Sequence, residues 1–180
     1  SVITTTWQLH ALKSAHMAYL QVKKDTVLGA MRFLDSVQLD EGAAYRNAAG
    51  KRHHRATAGG LLCRVMLGWK TTNPNIVKGL TAVGKGGPRK HDVVANYFAH
   101  ELHRACRGEA WKPWWASVTK QLLQSQQSEG EHAGSWRNPE DKHFAHGGAI
   151  HQTAFHVMML AAYRDPWPLH KDNAEDEFEL

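Results

Sequence analysis

Cysteine is nearly absent from this chain. Cys63 and Cys106 are its only two, and without CxxC spacing they support neither a disulfide framework nor a structural zinc site. No apolar run reaches the length of a membrane span, and the opening Ser1-Val2-Ile3-Thr4 is not a signal peptide. A convincing strand pattern is missing as well. Charge of one sign is modest: 22 Lys+Arg against 17 Asp+Glu give +5, scattered except for Lys51-Arg52-His53-His54-Arg55. No RNA- or DNA-binding motif accompanies that cluster, so it reads as a solvated basic loop and nucleic acid is not an expected partner.

What is present is a core-forming composition and a doubled segment. At 180 residues and 42% hydrophobic the chain suits one domain with a substantial core. A helical stretch runs into Gln38, three turn-compatible residues and Gly42, with Tyr45 close behind. The same order returns as Gln126, Gly130 and Trp136, and the two Gln stand 88 residues apart. That interval holds two helical hairpins of about 40–45 residues each, the period of a helical repeat array. Seven Trp, among them Trp7, Trp69 and Trp136, fall at or near expected helix ends, where a large ring with one polar N–H wedges hairpins together.

Seven helices are expected. Thr4-Thr5-Thr6 supply N-caps for a first running to about Val22, and Asp25 starts a second that stops at the Gln38–Gly42 turn. Residues 39–56 read as a polar loop. Thr57 caps a third helix to Leu67, apolar around most of its surface and so buried on several sides. Asn73-Pro74 starts a fourth that ends in Gly84-Lys85-Gly86-Gly87-Pro88. Asp92 caps a fifth to about Cys106, with Gly108 as its stop. A sixth begins at Lys112-Pro113 and reaches Gln127. After a long loop, Gly147-Gly148 opens a seventh through Ala162. Odd-numbered helices are small-residue-rich or broadly apolar and even-numbered ones amphipathic, the signature of an inner helical layer wrapped by an outer one. Residues 1–170 form a single repeat segment in this reading, and 171–180 an acidic flexible tail. The chain opens almost directly into a helix, as a piece of a longer protein would, and no compartment is assigned.

The Gln-x3-Gly-aromatic ending of an outer helix resembles the QW repeat of squalene and oxidosqualene cyclases, whose architecture also occurs in the β subunits of protein prenyltransferases. The likeness extends through Thr6-Trp7-Gln8-Leu9, Thr57-Ala58, Leu61-Leu62-Cys63-Arg64, Gly134-Ser135-Trp136 and Thr153-Ala154 to Trp167-Pro168-Leu169. Together these are similar to the squalene-cyclase-like repeat proteins of bacteria over about residues 4–170. The resemblance implies an all-α fold, helical-hairpin repeats forming part of an α/α toroid. Its missing half would come from the rest of a parent chain or a second copy. In this likeness Gln38, Gly42, Tyr45, Gln126, Gly130 and Trp136 are clamps between hairpins, each Gln bonding exposed helix-end backbone beside an aromatic ring.

The chain departs from those families where they do chemistry. It has no DxDD acid motif; Asp40-Glu41 is the nearest acidic pair in the body of the chain. Asp92, Cys106 and the His residues do not follow the prenyltransferase zinc order. The first repeat carries Tyr45 in place of Trp, and the second has an insertion before Trp136. The Cys-x-Glu-Gln element of complement-like thioester domains, which share a toroidal fold, is absent. Catalytic residues are therefore not carried over. The expectation is a non-catalytic binding or scaffold module for an apolar, isoprenoid-like ligand, with no cofactor implied. Two alternatives are a fragment of a genuine terpene cyclase or prenyltransferase whose acid lies elsewhere, and a metal-dependent enzyme.

Thirteen His are the second unusual feature. Asn96, His100, His103 and Arg107 are spaced by four, three and four, one stripe of the fifth helix. The stripe either faces the toroid's cavity, as ligand-binding residues or with His100 and His103 sharing a metal, or forms a solvated helical face. His132, His143, His146 and His151 match no metal-site spacing. Gly147-Gly148 suits a cap or close packing better than an anion site. Cys63 reads as a small buried hydrophobe and Cys106 as a poor nucleophile at a helix C-terminus.

Overall fold

The structure, a computed structural model, describes residues 1–162 and Phe178. Seven helices dominate these residues: α1 Val2–Met17, α2 Lys24–Val37, α3 His54–Met66, α4 Pro74–Gly84, α5 Val93–Cys106, α6 Trp111–Ser125 and α7 Phe144–Ala161. The fold is all-α. The one sheet among the described residues is a hairpin of two-residue strands, β1 Gln38–Leu39 and β2 Ala44–Tyr45, joined by a 3₁₀ turn over Asp40–Gly42. Strands this short leave no periodic signal, which is why the segment from 39 reads as plain loop in sequence. Trp167-Pro168-Leu169 and, apart from Phe178, the acidic tail lie outside the described residues.

Local chemistry sets the helix boundaries. Ser1 Oγ accepts the Thr4 N–H at 3.3 Å, so α1 starts before the Thr run. Asn73 Oδ1 accepts from Asn75 N at 2.9 Å with Pro74 in the first turn. Asp92 Oδ1 accepts from Ala95 N at 3.0 Å. At the far end of α5, Arg107 turns left-handed at φ 49° and Gly108 follows at φ 65°, which closes the helix. α7 begins at Phe144, three residues before the glycine pair, and kinks at Gly148 (φ 58°, ψ −153°). A Cβ at Gly147 would lie 2.4 Å from His151 Cβ, so that glycine serves close packing.

The odd helices pack in sequence order, α1 on α3, α3 on α5 and α5 on α7. The even helices flank them: α2 packs on α1, α4 on α3 and α5, and α6 on α5. The odd helices thus form a row with the even helices beside it. α3 occupies its centre, with every residue from Ala56 to Met66 buried. Leu61, Leu62, Phe98 and Leu102 are among the fully buried side chains, each worth about 1.5–3 kcal/mol of transfer free energy. Gly59 and Gly60 make the close approach sterically feasible. A Cβ at Gly59 would meet Thr6 Oγ1 at 2.7 Å, and one at Gly60 the Tyr45 ring at 2.4 Å.

Candidate functional site

Two of the segments expected as clamps share one backbone arrangement, although neither Gln side chain bonds helix-end backbone as expected: Gln38 meets a side chain and Gln126 a loop carbonyl. Gln38 pairs with Tyr45 in the antiparallel hairpin, and Gln126 pairs with Trp136 in an isolated antiparallel bridge. Each aromatic residue then ties to the next odd-numbered helix through a threonine. The Tyr45 N–H donates to Thr57 Oγ1 and the Trp136 N–H to Thr153 Oγ1, both at 3.1 Å. The side chains differ. Tyr45 Oη accepts from Arg64 Nε at 2.9 Å, whereas Trp136 Nε1 donates to the α6 carbonyl of Leu122 at 2.8 Å. Gln38 Oε1 accepts from Arg64 at 3.1 Å, while Gln126 Nε2 donates to Gly134 O at 2.8 Å. Gly42 and Gly130 both sit at positive φ, 94° and 77°, and a Cβ at Gly42 would approach Trp69 to 2.8 Å.

The histidine stripe is buried beneath α6. His100 is 0% exposed and His103 1%, so the solvated-face alternative is corrected: large Trp rings of α6 cover these positions. His103 stacks on Trp114 at 4.4 Å between ring centroids and an 11° interplanar angle, with Nδ1 2.7 Å from Ala99 O. His100 lies 5.3 Å from the Trp111 ring and 5.8 Å from Trp115, and among the described residues neither of its nitrogens has a hydrogen-bond partner. Burial pushes His100 down to about 3, with the Arg104 and His103 charges adding to the shift, and burial pushes His103 down to about 4. Both rings are neutral at pH 7. Arg107 caps α5 through its backbone N–H to His103 O at 2.8 Å. Among the described residues, no group of three or more His, Cys, Asp or Glu is placed to hold a metal ion.

Asn96, the fourth member of the stripe, lines a cleft of about 670 Å³ between α5, α6, α7 and the chain before α7; Trp136 lines the same cleft. The structure thus brings together one stripe residue and one clamp residue and leaves His100, His103 and Arg107 elsewhere. Reciprocal amide braces hold two walls. Asn96 accepts from Arg89 N (2.6 Å) and donates to Arg89 O (2.7 Å). Gln152 accepts from Asn138 N (2.6 Å) and donates to Asn138 O (3.1 Å). Asn138 Nδ2 joins the walls by donating to Lys90 O at 2.9 Å.

The carboxylates near the cleft are engaged in structure. Asp141 accepts from Val93 N at 2.8 Å and His143 N at 2.9 Å. Asp92 caps α5 while binding Arg55 Nη2 at 2.7 Å and Lys142 Nζ at 3.3 Å. Desolvation raises the Asp92 carboxyl, but the Arg55 hydrogen bond and the other donors outweigh it and leave a net lowering. Arg55 is thus an ion-pair member, in contrast to a freely solvated loop residue, and Arg52 pairs with Asp40 at 2.5 Å.

A second cavity, about 450 Å³, opens between α1, α2 and the chain before α3. Val2, Ile3, Phe33, Val37 and Ala56 form its apolar wall, with Arg46 and Arg55 also lining it.

An adjacent side of α5 holds charged groups that the stripe argument passes over. Glu101 and Arg104 form a buried pair at 2.7 Å. Tyr97, one turn back, stacks on Trp7 of α1 (5.6 Å, 16°) and meets Phe155 of α7 edge-on at 5.0 Å. Burial raises the Glu101 carboxyl despite Arg104, and burial together with the Glu101 charge pushes Tyr97 up to about 12. Burial and Arg104 push His10 down to about 4. The sequence signal is the 97, 101, 104 spacing of four and three, a second polar stripe on the same helix. Cys63 and Cys106 are both pushed up to about 12 by burial, so neither is a thiolate at pH 7.

No protein family, no curated protein and no solved structure matches this chain.

Proposed function

We propose that this chain is a squalene-cyclase-like helical-repeat module that binds ligands and does not transform them. The observation that carries the reading is the doubled clamp, in which Gln38–Tyr45 and Gln126–Trp136 are each bonded to a threonine of the following inner helix. Such an array spaces rigid helices around surfaces that take ligands. Of the two carboxylates that line the larger cleft, Asp141 already accepts two backbone N–H groups, which supports binding over acid catalysis. Partners follow from the array: α7, the last inner helix described, exposes Ile150 (86%) and Val157 (52%), where more of a parent chain or a second copy would pack.

A second reading, an isoprenoid-like ligand, is favoured by the cavity of about 450 Å³ with Val2, Ile3, Phe33 and Val37 in its wall. Incubation with farnesyl diphosphate and with squalene tests the binding-module reading, and a Phe33 or Val37 side-chain NMR shift that saturates with either compound tests the isoprenoid one. The binding-module reading expects each compound to be recovered unchanged. Any cyclised or transferred product that requires the protein would overturn it and favour the cyclase or prenyltransferase alternative.

A further inference from the structure

We propose that the cleft between α5, α6 and α7 takes a small anionic molecule, one carrying a phosphate or carboxylate among other polar groups. The proposal deepens the binding-module reading and rests on it.

Four cationic side chains, Arg89, Lys90, Lys120 and Arg137, line the cleft against two carboxylates, Glu140 and Asp141. Asp141 is already engaged and Glu140 points largely to solvent, 75% exposed. Asp141 receives two backbone N–H groups, and Glu140 lies 3.3 Å from His91. Among the described residues the lining cations have no comparable set of acceptors: Arg137 rests over the Phe144 ring at 5.6 Å, and Arg89 reaches His54 Nδ1 at 3.4 Å. A compact anion would supply what these groups lack.

The cleft is prepared to receive it. The Asn96 and Gln152 braces fix the backbone of both walls before any ligand arrives, which lowers the ordering cost of binding. On α6, Ser117, Gln121 and Gln124 are spaced by four and three and all line the cleft, placing neutral hydrogen-bonding groups beside Lys120. A volume of about 670 Å³ fits a small metabolite. An apolar ligand would cover these polar groups without supplying partners.

The test is a titration of the ¹⁵N-labelled 180-residue chain at low ionic strength, following side-chain amides of Gln121, Gln124 and Asn138. The probes are inorganic phosphate, citrate and neutral xylitol. Saturable shifts are expected with an anion, and the Lys120→Gln, Arg137→Gln double variant should weaken its binding by about tenfold or more. Lys23→Gln with Lys51→Gln removes the same charge elsewhere and should leave affinity within about twofold. Tighter phosphate binding points to a phosphoester and tighter citrate binding to a carboxylate; both support the proposal. Equal weakening by the two double variants, preference for xylitol, or no saturable shift with either anion overturns it. A folded state in each variant is checked by its amide spectrum. These outcomes are separate from prenyl turnover, which alone decides the binding-module reading.

Discussion

Gln126 and Trp136 are antiparallel bridge partners, the relation in which Gln38 and Tyr45 also stand. Their sequences diverge around this shared core: Tyr replaces Trp, the spacing differs, and the Gln side chains bond to different groups. What persists is backbone pairing plus one hydrogen bond from the aromatic residue's N–H to a threonine. What the two segments share is thus main-chain geometry, with an aromatic ring packed beside it.

Removing either threonine oxygen should therefore loosen one hairpin. Thr57→Val and Thr153→Val are each expected to cost about 1–3 kcal/mol, because a partly or fully buried N–H loses its acceptor. Thr→Ser at the same positions should retain most of the stability. Urea unfolding midpoints of the four variants check this, and a Thr153→Val midpoint equal to the parent's would remove the second clamp from the account.

Glycine positions separate packing from helix propensity. Gly60→Ala places a Cβ 2.4 Å from the Tyr45 ring and should destabilise by about 1–3 kcal/mol. Gly29, in α2, has nothing within 4 Å of the same added atom, so Gly29→Ala should gain about 0.5–1 kcal/mol. Thermal melts of the two variants should move in opposite directions.

Arg64 is 2% exposed and donates to Tyr45 Oη, Gln38 Oε1 and Asp35 Oδ1. Arg64→Met should cost about 1.5–3 kcal/mol by stranding the buried Tyr45 hydroxyl. Arg64→Lys should recover little, since an ammonium lacks the planar fork that serves several acceptors at once. Equal stability of the Lys variant and the parent in guanidinium unfolding would contradict this network.

Stability should fall in mild acid. Folded-state pKa values of about 4 for His10, His54, His103 and His156 and about 3 for His100 lie below the usual 6.5. Below pH 6.5 the unfolded chain binds protons that the folded chain excludes, so stability is full above about 6.5 and declines toward 4. Asp92, lowered chiefly by its Arg55 hydrogen bond against desolvation, adds a loss at still lower pH. His100→Leu sacrifices no hydrogen bond and should flatten part of this decline. Urea midpoints at pH 7, 6 and 5 measure it; a His100→Leu slope matching the parent's would place the proton uptake elsewhere.

Seven helices and their odd–even alternation were legible because the chain carries apolar residues at three- and four-residue spacing between Pro, Gly and Asp boundaries. α1 was over-extended: it ends at Met17, and Tyr19 adopts φ 57°, a turn that apolar spacing through Leu20 conceals. The α5 stripe was visible as a stripe, but its burial was not, since covering it takes Trp111, Trp114 and Trp115 from a helix whose approach no local pattern encodes. The cleft was hidden for a similar reason. Its walls come from residues 86–96, 117–125 and 136–156, and only tertiary hydrogen bonds such as Asn138 to Lys90 join them.

The central claim is that one clamp, used twice, joins the hairpins of this array. Amide hydrogen exchange at Tyr45 and Trp136 tests it most directly. Both amides should be protected well beyond their neighbours in the 46–52 and 128–134 loops. Thr153→Val should abolish protection at Trp136 while leaving Tyr45 slow, and Thr57→Val should do the reverse. A Trp136 amide that already exchanges as fast as the 128–134 loop in the parent chain would contradict the account.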